Sequence, residues 1–274
     1  MIRSGTYVLR ALLPRLPFIL GSDVAGVVAA VGGRVRRFRP GDRVFAMRPS
    51  ADGFGAYAEY VAVRESAVAP LPASVDFVAA AAMPLAGLTA LQALRDLARL
   101  RPGQRVVVVG AVGGVGHYGV QIARALGAAR VTSVCSAANR ELALELGCDE
   151  VLDYRTTRYQ EVLRDQDAVF DTIGRGHLRL AAPALSRRGA YLTTVPSGRA
   201  VASSIATSVW PWGRRSRIVV VRASGRDLEL LAGWAESGSL RSVVDRVAPL
   251  ERVAELHDHS RTFRTRGKNV IAVR

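Results

Sequence analysis

The sequence has few cysteines and no long apolar run. Cys135 and Cys148 are the only cysteines in 274 residues, which excludes a disulfide-stabilised scaffold. Their spacing matches no zinc-binding pattern, and there is no further cysteine to complete one. No apolar run reaches the roughly 20 residues that a membrane-spanning helix needs. The composition, 49% hydrophobic and 22% charged, is that of a globular chain and excludes disordered and collagen-like classes.

Acidic residues are scarce, with 23 Asp and Glu against 38 Lys and Arg, for a net charge of +15. Lys268 is the only lysine, so the excess is almost entirely arginine. Such an excess can indicate a polyanionic partner. The arginines are scattered, however, and no aromatic-rich nucleic-acid motif accompanies them, so GC-rich coding explains them as well. We predict no nucleic-acid partner, and a charge-driven nucleic-acid binder is the alternative.

Residues 1–20 carry three arginines, several leucines and no acid, which superficially resembles a targeting segment. Pro14 and Pro17 interrupt the apolar stretch, and no small-residue cleavage pattern follows. We therefore assign this segment to the folded domain and predict a cytoplasmic protein.

Short strands separated by glycine and proline are predicted for the first 75 residues. Strands are expected within residues 23–47, around the Gly32-Gly33 turn, and over residues 57–63. The alanines at 79–82 and the apolar spacing over 87–97 predict helices.

Strands and helices alternate from residue 105 onward, which is typical of a parallel sheet covered on both faces. The predicted strands are 105–109, 131–135, 150–152, 168–170, 190–195 and 218–221. The predicted helices are 115–126, 139–146, 227–236 and 253–259, and a strand over 269–273 closes the chain.

A glycine-rich turn follows the apolar strand at 105–109 and opens the next helix. Gly113 and Gly114 would let the backbone approach a diphosphate, and Gly116 would let the helix pack on the strand. The helix N-terminus favours phosphate because its N–H groups are free and its dipole end is positive. A purely structural turn is the alternative to this dinucleotide site. The predicted cofactor contacts are Gly110, Gly113, Gly114, Val115 and Gly116.

The residues after the following strand indicate which cofactor binds. An NAD site usually has Asp or Glu about 20 residues past the glycines. Here that place holds Ser136, Asn139 and Arg140, and the first acid is Glu141. An arginine and small donors suit a 2′-phosphate, which a carboxylate would repel. We therefore predict NADPH; if Arg140 is only a solvated helix residue, the cofactor choice stays open.

The histidines do not form a recognisable metal or catalytic motif. His257 and His259 are two residues apart, which places them on different faces of a helix. No Gly-x-Ser-x-Gly motif of a hydrolase is present. We therefore predict no metal site, and the residues name no catalytic group.

Seven short motifs follow one another along nearly the whole chain. They are LGSDVAGVV at 20–28, FRPGDRV at 38–44, GAYAEY at 55–60, PLAGLTA at 84–90, GGVG at 113–116, DEVLDY at 149–154 and RGKNV at 266–270. In this order they resemble the zinc-independent quinone oxidoreductase branch of the medium-chain dehydrogenase/reductase superfamily. The zinc-region histidine of the alcohol dehydrogenases is absent, and Ser22 stands in its place.

The resemblance implies an α/β protein, with a Rossmann doubly wound parallel sheet and an incomplete GroES-like β-rich domain. The implied boundaries are 83–221 for the Rossmann domain, and 1–82 with 222–274 for the GroES-like domain. Family members begin with further strands, so we expect either a misassigned start or a true truncation. A homodimer joined at the edge of the last Rossmann strand is also implied.

The implied activity is hydride transfer from NADPH to a quinone, an enone or a similar activated carbonyl compound. By the same resemblance, Thr89 approaches the nicotinamide, and Thr194 and Val195 flank it. Tyr154 joins Ser136, Asn139 and Arg140 around the 2′-phosphate, and Thr172 lies near the adenine side. Thr89 and Tyr154 also fit purely structural roles. A non-catalytic NADPH-binding sensor or scaffold is the alternative function.

Overall fold

The computed structural model of the chain describes residues 19–49, 55–209 and 212–273. Its strands are β1 Asp23–Val27, β2 Arg43–Met47, β3 Val68–Pro70, β4 Arg105–Val109, β5 Arg130–Cys135, β6 Glu150–Asp153, β7 Gln166–Asp171, β8 Leu185–Thr193, β9 Arg215–Ile218, β10 Val244–Pro249 and β11 Lys268–Ala272. Its α-helices are α1 Phe77–Ala82, α2 Pro84–Leu91, α3 Gly116–Ala125, α4 Arg140–Glu145, α5 Tyr159–Val162, α6 Leu178–Ala181, α7 Gly198–Val209, α8 Gly225–Glu236 and α9 Val253–Arg261. Helix α2 continues as a π-helix over Gln92–Ala98.

Six parallel strands form the central sheet, in the order β6-β5-β4-β7-β8-β9. This is the doubly wound Rossmann order, in which the order of the strands reverses between β4 and β7. Residues 106–108 of β4, 168–170 of β7 and 190–192 of β8 have no exposed surface, as expected for a parallel sheet covered on both faces. The predicted α/β fold with a Rossmann sheet is therefore confirmed.

The first part of the chain forms a small antiparallel sheet in the order β1-β2-β3. The predicted β-rich unit is confirmed, but the predicted strand over residues 57–63 is wrong, because the third strand is β3. Ala56 and Tyr57 make two backbone hydrogen bonds to Gly21 and Leu20. Residues 58–63 then line an apolar pocket instead of joining the ladder, although their alternating pattern resembles that of a strand.

The last strand of the central sheet begins earlier than predicted. β9 covers Arg215–Ile218 and pairs with Ala190–Thr193, whereas the sequence predicted a strand over 218–221. The apolar run 218–221 gave the stronger hydrophobic signal, yet Val220 is 78% exposed. Helix α7 and strand β10 were not predicted from the sequence.

Helix α7 covers β9, the edge strand of the central sheet. The Thr207 hydroxyl accepts the Ser216 N–H at 3.0 Å and donates to the Ser203 carbonyl of its own helix at 2.8 Å. Edge strands are often protected in this way against pairing with another chain. A homodimer joined through this edge would have to displace Thr207, so the homodimer stays a prediction. The domain boundaries at 82/83 and 221/222 also stay predictions.

Replacing Gly116 by Ala tests the packing of α3 against the turn before it. A Cβ atom at Gly116 would lie 2.0 Å from the Gly110 carbonyl oxygen, so the helix would have to shift. We expect the free energy of unfolding to fall by about 1–3 kcal/mol, measured by chemical denaturation. Gly233→Ala in α8, where a Cβ meets nothing within 4 Å, is the matched control and should raise stability by up to about 1 kcal/mol. Equal stability of Gly116→Ala and the native chain would contradict the packing argument.

Candidate active site

The glycine turn after β4 folds back tightly before α3 begins. Gly110 has a φ of +79° and donates its N–H to the Val134 carbonyl of β5 at 2.9 Å. Gly113 donates to the Gly110 carbonyl, also at 2.9 Å. A side chain at Gly110 would lie 2.6–2.7 Å from Ile173 and Thr172. The turn therefore brings the N-terminus of α3 to the carboxyl end of the sheet, where free N–H groups can bind phosphate.

The loop after β7 is bonded to the end of β4, at the point where the strand order reverses. The backbone N–H and the hydroxyl of Thr172 both donate to the Val109 carbonyl, at 3.1 and 2.8 Å. Ligands of open α/β sheets bind in the crevice at this switch point. Thr172 thus lies at the predicted cofactor crevice, next to the glycine turn.

Asp171 holds this loop in place. Its buried carboxylate accepts the N–H groups of Ile173, Gly174 and Gly176 at 2.8–2.9 Å and the Tyr191 hydroxyl at 2.7 Å. Burial and the Asp171 charge raise the pKa of Tyr191, so the phenol remains a donor. Four donors satisfy a carboxylate that would otherwise be costly to bury.

Thr194 and Val195 meet the same loop. The Thr194 hydroxyl donates to the Thr172 carbonyl at 3.4 Å. Gly174, with a φ of +77°, packs so closely on Val195 that a Cβ atom would lie 2.3 Å from it. Three of the predicted site residues are therefore neighbours, and their contact with a nicotinamide stays a prediction.

Thr89 is buried within α2, and its hydroxyl donates to the Leu85 carbonyl one turn earlier, at 2.6 Å. The hydroxyl proton is therefore bonded to the backbone of its own helix. This is the purely structural role that the sequence left open for Thr89. Its approach to a nicotinamide stays a prediction.

Positive charge gathers at the carboxyl ends of β5 and β6, where the sequence predicted the 2′-phosphate. Arg140 donates to the Val151 carbonyl at 3.3 Å, and Arg266 donates to the Ala138 carbonyl at 3.2 Å. The Arg155 guanidinium lies 5.8 Å from the centre of the Tyr154 ring. Among the described residues, none of these three arginines forms an ion pair. The same region contains the predicted residues Ser136 and Asn139, which share a backbone hydrogen bond of 2.9 Å.

Asp153, the last residue of β6, is a carboxylate in the same region. Asp153 accepts the backbone N–H groups of Ala137 at 3.1 Å and Arg155 at 2.9 Å. The Asp153 carboxylate is thus partly neutralised by backbone donors. The arginine side chains still give this region a net positive charge. Arg155 and Arg266 were not predicted from the sequence. Arg155 directly follows Tyr154, but only the fold brings Arg266 from the end of the chain to this place.

Gly267 docks the end of the chain onto the glycine turn. Its N–H donates to the Val112 carbonyl at 2.8 Å, and its φ is +71°. A Cβ atom at Gly267 would lie 2.0 Å from the Val243 carbonyl oxygen, so only glycine fits. The Lys268 side chain passes 3.5 Å from the Cβ position of Gly114.

Lys268 then forms an ion pair with Asp23 of β1, at 3.0 Å, and both side chains are largely buried. The other Asp23 oxygen accepts the Leu85 N–H at the start of α2, at 2.8 Å. One carboxylate therefore joins β1, α2 and β11 beside the glycine turn.

Tyr57 and His257 form a second polar pair near Asp23. The Tyr57 hydroxyl and His257 Nε2 are 3.4 Å apart, and the two rings meet edge to face. Burial, and then the negative charge of Asp23, raise the pKa of Tyr57, so its phenol stays protonated at neutral pH. Neither residue was predicted from the sequence to have a role, since 200 positions separate them.

His117 lies buried in the first turn of α3. Its Nδ1–H donates to the Gly113 carbonyl at 2.9 Å, because a carbonyl can only accept. Within the described part of the chain, Nε2 has no hydrogen-bond partner. Burial lowers the pKa of His117 to about 4, so the ring is neutral at pH 7.

Among residues 19–49, 55–209 and 212–273, no group of three His, Cys, Asp or Glu side chains could hold a metal ion. Cys135 and Cys148 are buried free thiols. In the same ranges no helix is both long and apolar enough to span a bilayer. The absence of zinc from the reaction stays a prediction.

Two family models match the chain: the alcohol dehydrogenase GroES-like domain over residues 1–73 and the zinc-binding dehydrogenase over residues 146–271. The chain is 33% identical over 272 residues to the chloroplastic quinone-oxidoreductase QR1 of Triphysaria versicolor, covering 96% of this chain and 82% of that protein. Its fold is similar to that of the quinone oxidoreductase of Coxiella burnetii, with a TM-score of 0.89, 27% identity and coverage of 98% and 84% of the two chains. It is also similar to the Escherichia coli quinone oxidoreductase complexed with NADPH, with a TM-score of 0.80, 26% identity and coverage of 98% and 88%.

The chain belongs to the medium-chain dehydrogenase/reductase superfamily, among its quinone-oxidoreductase-like proteins. The predicted family, the GroES-like and Rossmann fold and the assignment as a reductase are thereby confirmed.

Replacing His117 by Leu tests the buried neutral imidazole. The pKa of His117 falls from 6.5 in the unfolded chain to about 4 in the folded one, so the folded chain binds fewer protons. The neutral imidazole contributes up to about 3 kcal/mol to the free energy of unfolding. This contribution is complete above pH 6.5 and is lost as the pH falls toward 4. We expect His117→Leu to lose this part of the slope in a plot of unfolding free energy against pH. Parallel curves for the two proteins would contradict the burial argument.

Proposed function

We propose that the chain is a zinc-independent reductase that transfers hydride from NADPH to a quinone, an enone or a similar activated carbonyl compound. The observation that carries this proposal is the surplus of positive charge formed by Arg140, Arg155 and Arg266 at the carboxyl ends of β5 and β6. The family membership supports the reaction class.

The residues present fit an NADPH molecule. The turn 110–116 and the start of α3 offer backbone N–H groups for a diphosphate. No side chain lies within 4 Å of the Cβ position of Gly113, and the Lys268 side chain lies 3.5 Å from that of Gly114. Arginines bind a phosphate by charge-assisted hydrogen bonds, which would favour NADPH over NADH. When bound, the cofactor supplies the hydride, and the protein aligns and shields it.

Arg266→Ala tests the cofactor preference. Loss of one charge-assisted hydrogen bond to the 2′-phosphate should raise the Kd for NADPH by about tenfold and leave the Kd for NADH unchanged. Both constants are measured by titration of cofactor fluorescence.

Arg264→Ala is the matched control, since Arg264 is exposed, lies two residues away and removes the same charge. It should change neither constant. The assignment would be contradicted if both variants raised the Kd for NADPH equally. It would also be contradicted if Arg266→Ala raised the Kd values for NADPH and NADH equally.

The side chains around the crevice favour substrates that are already activated. The zinc-region position holds Ser22, and the described residues offer no metal-binding group of three. Without a Lewis acid, a carbonyl must be made electron-poor by its own conjugation, as in quinones and enones. We therefore expect EDTA to leave NADPH oxidation unchanged; loss of turnover that zinc restores would contradict this.

We infer that Tyr57 donates the proton in the reduction of an enone. Its phenol stays protonated because burial and Asp23 raise its pKa. His257 lies 3.4 Å from the hydroxyl and can pass a proton to it after transfer. Asp23 also bonds Lys268 beside Gly114, which places this pair on the glycine-turn side of the molecule.

Tyr57→Phe tests this role while keeping the ring that packs on Gly21. We expect kcat for an enone to fall by about 100-fold, within the range for general acids, with Kd for NADPH unchanged. The loss should be smaller for a quinone, whose reduced oxyanion can take a proton from water. Tyr60→Phe, at a residue 79% exposed, is the control. A similar small loss for both variants would contradict the assignment.

A non-catalytic NADPH-binding protein is the alternative, and it would bind NADPH without oxidising it in the presence of a quinone. We keep the cytoplasm as the proposed location, although the Triphysaria relative is chloroplastic by name.

A further inference from the structure

A cleft of about 1190 Å³ lies at the amino ends of β4, β7, β8 and β9. It is therefore at the opposite end of the sheet from the glycine turn. Five arginines line it: Arg99, Arg101, Arg187, Arg188 and Arg215. Its volume exceeds the roughly 300–1,000 Å³ typical of pockets for drug-sized ligands.

The cleft has an uncompensated positive charge. None of its five arginines forms an ion pair with another described residue. Asp167 is the one acid in the lining, and it accepts the Arg105 N–H at 2.9 Å. Burial, and then the charges of Arg217 and Arg99, lower the pKa of Arg215. A bound anion would relieve this repulsion.

An irregularity in β8 places two of the arginines at the cleft. Leu185 pairs with Gln166 and Ala190 pairs with Ala168, so five steps along β8 face two steps along β7. Arg187 and Arg188 are exposed on this bulge. β-bulges are frequent next to functional sites, where they redirect side chains.

An exposed aromatic ring lies at the same cleft. Trp212 is 77% exposed and lines the cleft beside the arginines. The next residue, Gly213, has a φ of +116°, and its Cβ position is 4.0 Å from the Arg187 carbonyl oxygen. Exposed tryptophans are common stacking surfaces for nucleobases.

We propose that this cleft binds a nucleoside triphosphate, with the arginines on the phosphates and Trp212 against the base. Guanidinium groups bind phosphate oxygens in pairs, and five of them suit a ligand with several phosphates. Trp212 is the one aromatic ring among the described lining residues and can stack on one base, which favours a single nucleotide over a nucleic-acid strand. The site is separate from the proposed cofactor crevice and does not depend on the proposed reaction.

The test is a fluorescence-polarisation titration with ATP labelled on its ribose, at physiological salt and with excess NADPH present. Three variants are compared: Arg187→Ala/Arg188→Ala, Trp212→Ala, and the control Arg179→Ala/Arg226→Ala. The control changes two exposed arginines outside the cleft, so its net charge equals that of the first variant. Thermal melting confirms that each variant is folded. Unlabelled ATP, inorganic tripolyphosphate and a single-stranded DNA 20-mer serve as competitors.

We expect ATP to bind the native chain and the control alike, and at least tenfold more weakly to Arg187→Ala/Arg188→Ala. Trp212→Ala should weaken the binding of ATP but leave the binding of tripolyphosphate unchanged. No binding of ATP, or equal weakening by the two double variants, would overturn the proposal. If the DNA bound through the same arginines and ATP did not compete with it, the proposal would be overturned in favour of a nucleic-acid partner.

Discussion

Gly267 donates its backbone N–H to Val112 in the glycine turn, and Lys268 reaches from the next residue to Asp23. These two contacts bring the end of the chain, the first strand and the start of α2 to one place. The turn itself can form locally, but its surroundings depend on segments more than 200 residues apart. A charged pair with little exposure also needs both partners, because either group left alone would be costly to bury.

The same arrangement brings together the proposed phosphate subsite and the proposed proton donor. Arg266 comes with Gly267 and adds a cation to the ends of β5 and β6, where a phosphate would lie. Lys268 pairs with Asp23 of β1, and burial followed by the charge of Asp23 raises the pKa of Tyr57. Docking of one short segment therefore affects both the proposed phosphate subsite and the proposed proton donor.

Local patterns were sufficient to predict most of the Rossmann sheet. The apolar run of β4, the glycines after it and the helix α3 are neighbours in sequence. Their order alone therefore predicts a strand, a tight turn and a helix packed on the strand. The β9 error had the same origin, because the apolar run 218–221 outweighed Arg215–Ile218, whose pairing partners lie about 25 residues earlier. In that strand tertiary pairing decides the structure, and local hydrophobicity does not.

The remainder of the candidate site could not be predicted, since it is built from distant residues. Arg266 contacts Ala138, and Tyr57 contacts His257, across separations of 128 and 200 positions. No periodicity or spacing shows such pairs. The predicted Thr89 had a clear motif signal, yet its hydroxyl is bonded within its own helix. A motif gives a residue's position, and the fold decides which of its atoms are available.

The central claim is that this chain transfers hydride from NADPH to an activated carbonyl compound. The most direct measurement uses NADPH deuterated at the transferred position, a conjugated enone and mass analysis of the product. The account predicts one deuterium on carbon in the product and slower turnover than with unlabelled NADPH. Tight NADPH binding with no deuterium in the product would contradict it and indicate a protein that binds the cofactor without catalysis.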